Sequence, residues 1–174
     1  MSAAKSKSIQ IVTDSTSDLD PEVASDLGIH VVPLYVHSGE ESYKDSIDIS
    51  ADEFYEKLVD GTISPKTSQP TPEDFAVLYR SLVVKGPVLS MHVSNLLSGT
   101  MNSANLAKEM VLKEIPDAQI TVIDTYLASL GLANAVIETK KFVSDGASLE
   151  EAAEFATSIS SRTRIIVSVD TLEY

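Results

Sequence analysis

Short apolar runs rich in β-branched residues alternate along this chain with clear helix-start signals, and this alternation limits the possible folds more than any other feature. The runs that predict buried strands are 9–14, 87–94, 119–125 and 164–170. They lack a regular apolar–polar alternation, as expected for strands that are covered on both faces. Another run, 30–37, contains Pro33 and predicts either an edge strand or a strand that is interrupted at the proline.

Capping residues mark the helix starts between these runs. Asp20 precedes Pro21, and Gly28 can end the helix that these two residues begin. A capping hydroxyl with an acidic residue three positions later also occurs at Ser50, Thr71 and Ser148. Apolar stripes predict further helices over 101–115 and 130–145. Strands that alternate with helices in this way predict an α/β domain with a mainly parallel sheet flanked by helices.

The charge of the chain narrows the classes of partner. Its 174 residues carry a formal net charge of −13, which disfavours nucleic acid and anionic membrane surfaces. A local anion site is still compatible with this charge, because hydroxyl groups and helix N-termini bind anions without a net positive charge. The chain has no cysteine, and no apolar run reaches the length of a membrane span. We therefore expect a cytoplasmic protein without stable membrane insertion.

Polar groups follow three of the predicted strands at the point where each strand ends. They are Asp14–Ser17, Ser94–Asn95 and Asp124–Thr125. If the strands are parallel, these groups gather at one edge of the sheet, which is where ligands bind in such folds. The edge is rich in hydroxyl donors and poor in lysine and arginine. It therefore suits a weakly charged anion or a polar head group rather than a triphosphate.

The same residues also permit purely structural interpretations. Ser94 or Ser98 can cap the helix that follows. Thr67 and Ser68 can satisfy a turn, and Asp14 can cap the amides of its own turn. On these residues alone, the ligand-binding and the structural interpretations both stay open.

Enzyme motifs are scarce in this sequence. It has no Walker phosphate loop, no dinucleotide-binding glycine motif and no G-x-S-x-G elbow. His30 and His37 lie on one predicted strand and would point to opposite faces, and no spacing predicts a metal site. A hydrolase or phosphoryl-transfer enzyme would need Asp14 or Ser94 as its nucleophile. His92 is predicted on the same strand face as Ser94, but the sequence shows no partner that would orient it.

Six blocks are spread over nearly the whole chain: IVTDSTSDL (11–19), VVPLYVHSGEESYKDSIDIS (31–50), KTSQPTPEDF (66–75), LLSGTMNSA (96–104), VIDTYLASLGLA (122–133) and VDTLEY (169–174). Together and in this order they resemble the DegV family of bacterial fatty-acid-binding proteins. The resemblance implies a carrier without enzymatic activity that binds a long-chain fatty acid such as palmitate, stearate or oleate, with no cofactor or metal. Some members present the acid to a fatty-acid kinase for phospholipid synthesis, so the resemblance also implies a kinase as a partner.

The resemblance further implies which residues hold the ligand. Hydroxyl groups would hold the carboxylate, and an apolar tunnel would enclose the acyl tail. Matching motifs give Thr67 and Ser94 as the head-group ligands, with Ser68 and Asn95 as adjacent candidates. Asn95 departs from the family, which commonly has a second serine there, although an amide can still donate a hydrogen bond.

The chain is shorter than the family, whose members run to about 280 residues and include a second α/β domain. The resemblance therefore implies a first domain over 1–162 and only the start of a second, largely absent domain over 163–174. Three hypotheses follow: a fatty-acid carrier, an enzyme that uses Asp14 or Ser94, and a truncated fragment that binds no ligand. We expect the carrier.

Overall fold

The structure is a computed structural model, and it describes residues 8–61 and 65–168. Its strands, in chain order, are β1 (Gln10–Asp14), β2 (Ile29–Val32), β3 (Tyr35–Ser38), β4 (Glu41–Lys44), β5 (Lys66–Ser68), β6 (Val88–His92) and β7 (Ile120–Asp124). Its helices are α1 (Pro21–Leu27), α2 (Ala51–Val59), α3 (Pro72–Val83), α4 (Thr100–Glu114), α5 (Ser129–Ser144) and α6 (Leu149–Arg162). Strands and helices alternate as the sequence predicts, and the α/β fold class is confirmed.

Two sheets organise these elements. The larger has four parallel strands in the order β2–β1–β6–β7, and the smaller has three antiparallel strands in the order β4–β3–β5. The chain leaves the first sheet at Pro33, because proline cannot donate a ladder hydrogen bond. The predicted interruption is thus confirmed, and the amide of Leu34 donates to the hydroxyl of Ser15 at 3.0 Å.

Helices cover both faces of the parallel sheet. On one face, α3 and α4 bury residues such as Phe75 and Val111 against Val12 and Val88 of the sheet. On the other face, α1, α5 and α6 bury a second cluster that includes Val136. This double cover explains why the strand runs are apolar without alternation.

The predicted helix starts are confirmed. Asp20 accepts hydrogen bonds from the amides of Glu22 and Val23 at 2.8 and 3.3 Å, and Gly28 ends α1 with φ at +61°. Complete capping boxes open α2, α3 and α6 at Ser50, Thr71 and Ser148. These contacts lie within one helical turn, so local sequence alone determines them.

The prediction of a buried strand over 164–170 is wrong for the part that the structure describes. Residues 164–168 form no strand, and Ile166 is 95% exposed. A buried strand needs a neighbour that accepts its backbone hydrogen bonds, and no described strand lies beside this segment. Residues 169–174, including the last block of the family resemblance, lie outside the described residues. The domain boundary after residue 162 follows the end of α6 but stays a prediction.

The sequence pattern also misses the strands β4 and β5, which fall in segments that read as loops. Each has only three or four residues, and most of them are polar. Runs this short and this polar give no periodicity from which a strand could be predicted.

Candidate functional site

The topological switch point of the parallel sheet lies at its carboxyl edge, between β1 and β6. The chain continues from β1 to β2 on one side of β1, whereas β6 lies on its other side. The strands β1 and β6 therefore flank the topological switch point. β1 pairs with β2 as far as Asp14↔Val32, but with β6 only as far as Val12↔Ser90. The ladder between β1 and β6 therefore stops before the strands end, and side chains make the remaining contacts.

Asp14 lies in this gap with none of its side chain exposed. One carboxylate oxygen accepts hydrogen bonds from the hydroxyl and the amide of Thr16, at 2.5 and 3.1 Å, so Asp14 does cap its own turn. The other oxygen accepts from Nδ1 of His92 at 2.9 Å and from the amide of Val93 at 3.1 Å. Asp14 therefore joins the end of β1 to the end of β6.

A line of buried hydrogen bonds continues from His92 into the core. Nε2 of His92 lies 2.7 Å from the hydroxyl of Ser90, and the hydroxyl of Tyr79 donates to that same oxygen at 2.7 Å. The ring of Phe75 packs edge-on against His92, with 5.0 Å between the centroids. Asp14, His92, Ser90 and Tyr79 are each 0% exposed, and we call these four residues the Asp14 network.

The Asp14 network supplies the partner that the sequence pattern lacks for His92. The two residues are 78 positions apart, so no local signal reveals their contact. The order Asp14–His92–Ser90 has the connectivity of a hydrolase triad. Ser90, however, lies within a buried strand and already accepts a hydrogen bond from Tyr79. A substrate cannot reach this serine without opening the core, so the arrangement is structural.

Burial and hydrogen bonding set the charges in the Asp14 network. Desolvation would raise the pKa of Asp14. Hydrogen bonds from His92, Thr16 and Val93, together with the charge interaction with His92, outweigh it and hold that pKa below its ordinary value of 3.8. Burial raises the pKa of Tyr79, which keeps its phenol protonated. At neutral pH the network therefore contains a buried carboxylate at one end and a neutral phenol at the other.

Ser94 follows β6 directly and is only 4% exposed. Its amide donates to the carbonyl of Leu127 at 3.0 Å, and its hydroxyl oxygen accepts from the amide of Leu96 at 3.2 Å. No contact within the described part of the chain takes its hydroxyl proton, which can therefore be donated to a ligand. Ser94 does not cap α4, because the residue at the cap position is Gly99.

The neighbours of Ser94 have different roles. The side chain of Asn95 is exposed, while its amide donates to a carboxylate oxygen of Asp124 at 3.2 Å. This contact confirms that the polar ends of β6 and β7 meet at one edge. The hydroxyl of Ser98 accepts a hydrogen bond from the amide of Thr100 at 3.3 Å. Ser98 rather than Ser94 therefore binds the first amide of α4.

Thr67 and Ser68 lie on opposite faces of β5, because successive residues of a strand alternate. The hydroxyl of Ser68 lies 2.8 Å from Nε2 of His37, on the face that also carries Tyr35. Thr67 is paired with Val36, and both residues line a cavity on the other face. The structure thus brings Thr67 to the cavity and turns Ser68 away from it.

The cavity beside Thr67 has a volume of about 550 Å³ and is walled by apolar residues from several elements, including Leu19, Val36, Ile49 and Phe54. Acidic residues also line it: Asp18, Asp20 and Asp45. A second cavity of about 440 Å³ shares part of this lining and continues beside α1 and β2. Both volumes fall in the range of small-molecule sites, about 300–1,000 Å³.

The segment after β5 touches the loop between β6 and α4. A Cβ atom added at Gly99 would lie 2.7 Å from Nε2 of Gln69, so the glycine permits a close approach of the two segments. Gln69 follows Thr67 closely, and Gly99 lies in the loop that starts at Ser94. The segments that carry the two predicted head-group ligands are therefore neighbours, although Ser94 is not among the residues that line either cavity.

Strained backbone conformations mark the same region. Among the described residues other than glycine, positive φ angles occur at Asp18 (+52°), Ser46 (+60°), Tyr126 (+56°) and Ser129 (+51°). Asp18 and Ser46 line the larger cavity, whereas Tyr126 and Ser129 flank the segment whose carbonyl binds the amide of Ser94. Such conformations cost about 1–3 kcal/mol each and cluster at ligand sites. Residue type alone did not reveal them.

Other kinds of site are not supported by the described geometry. Over 8–61 and 65–168, no three histidine or carboxylate side chains are grouped to hold a metal ion. His30 lies in β2 and His37 in β3, so they occupy different sheets rather than the one strand that the sequence predicts. None of the helices in these ranges combines the length and the hydropathy needed to span a membrane.

A comparison with protein families identifies the DegV family, whose model matches residues 8–174. A DegV domain-containing protein from Deinococcus radiodurans is 38% identical over 168 residues, which is 96% of this chain and 58% of that protein. The chain thus spans less than two thirds of the length of this relative.

Solved structures with the same fold have been described as fatty-acid-binding proteins. A DegV family protein from Thermus thermophilus, described by its fatty acid binding, is 41% identical with a TM-score of 0.77 over 88% of this chain and 54% of its own. A stearic acid-binding protein from Eubacterium ventriosum is 38% identical with a TM-score of 0.79, over 84% of this chain and 51% of its own. The fatty acid kinase B3 protein of Streptococcus pneumoniae, loaded with linoleic acid, is 26% identical with a TM-score of 0.75, over 88% of this chain and 54% of its own.

Proposed function

Because this chain belongs to the DegV family, we propose that it binds a long-chain fatty acid, with hydroxyl groups on the carboxylate and the acyl tail in an apolar cavity. The observation that carries this proposal is the cavity of about 550 Å³ that has the hydroxyl-bearing Thr67 in its wall. The proteins from Thermus thermophilus and Eubacterium ventriosum, described as binding fatty acid and stearic acid, support the same class of ligand.

The apolar part of the lining suits an acyl tail. Leu19 and Phe54 line the larger cavity, and Leu19 also lines the second one, so the two cavities are adjacent. We propose that the tail extends across both. Each buried methylene of the tail contributes about 0.8 kcal/mol before the costs of association. A tail of 16 to 18 carbons, as in palmitate, stearate or oleate, would then be bound strongly enough to be retained.

Hydroxyl donors suit the head group because the surroundings offer few cations. A carboxylate taken out of water costs several kcal/mol unless it accepts hydrogen bonds. Thr67 and the buried Ser94 are the donors that we assign, and the loop that starts at Ser94 leads into the positive end of the α4 dipole, which also favours an anion. Ser68 and Asn95 are the weaker candidates. Ser68 faces away from the cavity, and the exposed side chain of Asn95 lines neither cavity, whereas Thr67, which is also exposed, lines the larger one.

We propose a carrier rather than an enzyme. Asp14 is buried, and both of its oxygens already accept hydrogen bonds, so it is not available as a nucleophile. Ser94 has no activating base among its described contacts, because both ring nitrogens of His92 are directed at Asp14 and Ser90. A nucleophilic hydroxyl needs such a base within reach.

Substitution of the two hydroxyls tests this assignment. Thr67→Ala and Ser94→Ala should each weaken palmitate binding about tenfold, which corresponds to the loss of one charge-assisted hydrogen bond. Binding can be measured by calorimetry, together with native mass spectrometry of the protein as purified. Ser68→Ala is the matched control, because it removes a hydroxyl from the same strand but from the opposite face.

Two results would contradict the proposal. Palmitate affinity that is unchanged in both Thr67→Ala and Ser94→Ala would reject the head-group assignment. A chain that carries no acyl ligand after purification and binds none when palmitate, stearate or oleate is added would reject the carrier function and favour a fragment that binds no ligand.

We further propose that the carrier presents its fatty acid to a kinase. The support is the similarity to the Streptococcus pneumoniae protein, whose description names a fatty acid kinase and linoleic acid. Transfer of the labelled γ-phosphate of ATP to the bound acid in the presence of a fatty-acid kinase would test this proposal. A failure of the loaded chain to support such transfer would contradict it.

A further inference from the structure

The Asp14 network continues the sheet where its backbone pairing stops. The β1–β6 ladder ends at Val12↔Ser90. Beyond that pair, the carboxylate of Asp14 rather than a backbone carbonyl accepts the hydrogen bond from the amide of Val93, at 3.1 Å. A side chain thus connects the two central strands immediately before Ser94.

Counting the hydrogen bonds assigns the proton positions in the network. Tyr79 donates its single hydroxyl proton to Ser90. If Ser90 donates to Nε2 of His92, the ring proton lies on Nδ1 and is donated to Asp14. A carboxylate can only accept a hydrogen bond, so the contact between Asp14 and Nδ1 of His92 places a ring proton on Nδ1.

Two segments of the head-group site depend on where Asp14 lies. The amide that donates a hydrogen bond to Asp14 belongs to Val93, the residue just before Ser94. On its other side, Asp14 caps the turn that begins at Ser15, whose hydroxyl accepts from the amide of Leu34. From Leu34 the chain enters the smaller sheet, which carries Thr67. Asp14 is therefore connected to both segments that hold the assigned hydroxyls.

We propose that Asp14 and His92 are positioning residues, which set the separation of β1 and β6 and thereby direct the hydroxyl of Ser94 toward the head group. Both side chains are 0% exposed, so they act through Ser94 and do not touch the ligand. The proposal includes a proton on Nδ1 of His92 that is donated to Asp14. It deepens the proposed function and rests on it for the identity of the ligand, a fatty-acid carboxylate.

The first experiment uses the full chain without ligand. Nitrogen NMR of histidine-labelled protein at neutral pH should show the ring proton of His92 on Nδ1. Asp14→Asn should move these ring signals and accelerate exchange of the Val93 amide about tenfold, the factor that corresponds to the loss of one ordinary hydrogen bond. A ring without a proton on Nδ1, or unchanged exchange at Val93, would overturn the proposal.

The second experiment measures palmitate affinity. Asp14→Asn and His92→Phe should each weaken binding about tenfold through misplacement of one hydrogen bond. His92→Asn keeps a donor close to the position of Nδ1 and should recover most of the affinity that His92→Phe loses. Val136→Ala is the matched control, because it opens a buried site on the opposite face of the sheet. It should lower thermal stability while affinity stays within about twofold, since distant sites act independently.

The two experiments separate this proposal from the proposed function. If Asp14→Asn and His92→Phe fold and bind palmitate as tightly as the unaltered chain, Asp14 and His92 do not position the site. If the unaltered chain binds no palmitate, the fatty-acid function fails, whereas the His92 tautomer and the Val93 exchange rate still decide whether the network orders this edge.

Discussion

At the scale of single residues, Asp14 couples the stability of the fold to pH. Burial alone would raise its pKa, but hydrogen bonds from His92, Thr16 and Val93 and the charge interaction with His92 outweigh burial and lower that pKa. A carboxylate with a lowered pKa stabilises the folded state fully above its unfolded pKa. This contribution is lost as the pH falls from that value through the lower folded pKa.

Denaturation at several pH values checks this coupling. At neutral pH, Asp14→Asn should reduce the free energy of unfolding by about 2 kcal/mol, since hydrogen bonds to a charged group are lost. The deficit should shrink as the pH falls below 3.8, because the unaltered protein then loses the same contribution. Val136→Ala removes no titrating group, so its own deficit should not follow pH. A deficit of Asp14→Asn that is equally independent of pH would contradict the assignment.

The sequence predicts candidate site residues better than it predicts their orientation. The motifs identify Thr67 and Ser68 together, but only the pairing of β5 with β3 shows that the two hydroxyls face opposite ways. The capping role of Asp14 can be predicted from the sequence because Asp14 acts within its own turn. Its contact with His92 cannot be predicted in this way, because it depends on two strands that meet only after the sheet has formed.

At the scale of elements, the approach of the β5–α3 connection to the β6–α4 loop rests on Gly99. Its φ is −75°, so alanine fits the backbone, but the added Cβ would collide with the end of the Gln69 side chain. Because that side chain is flexible, it can turn aside, and Gly99→Ala should change stability by less than about 0.5 kcal/mol. The backbone that carries Thr67 then keeps its place, so palmitate affinity should stay within about twofold of that of the unaltered chain.

A second substitution makes this prediction specific. Gln69→Ala added to Gly99→Ala removes the collision and should leave affinity unchanged, as measured by calorimetry on the single and double variants. If Gly99→Ala binds palmitate more weakly and the double variant restores the affinity, the two segments separate and the side chain of Gln69 does not yield.

Elements with local determinants were predictable, and elements that depend on distant partners were not. The capping boxes of α2, α3 and α6 satisfy their hydrogen bonds within a turn, and all were predicted. The run 164–168 has strong strand composition but no described neighbour in a sheet. Composition predicts the tendency to form a strand, whereas pairing decides whether the strand forms.

At the scale of the whole molecule, exposed apolar residues accompany a strongly acidic charge. Leucines in loops at the carboxyl edge are exposed to 83% at Leu96 and 72% at Leu97. The net charge of −13 keeps copies of the chain apart at neutral pH. Near the isoelectric point of about 4.5 this repulsion disappears, and apolar contacts can then dominate.

Sedimentation velocity as a function of pH tests this balance. We expect self-association that increases as the pH approaches 4.5 and that weakens in the double variant Leu96→Ser with Leu97→Ser. Val59→Ser is the matched control, because Val59 is 85% exposed but lies on α2, away from these loops. Equal association of both variants would show that the loop leucines are not responsible.

The central strands also set the order in which the site can be assembled during synthesis. β1 acquires its neighbour β6 only after the chain between them has been made, and the carbonyl that holds the amide of Ser94 belongs to Leu127. Closing a loop of that length is slow compared with forming the helices inside it. A chain emerging from the ribosome therefore completes its helices early, and the edge around Asp14 and Ser94 is among the last parts to become ordered.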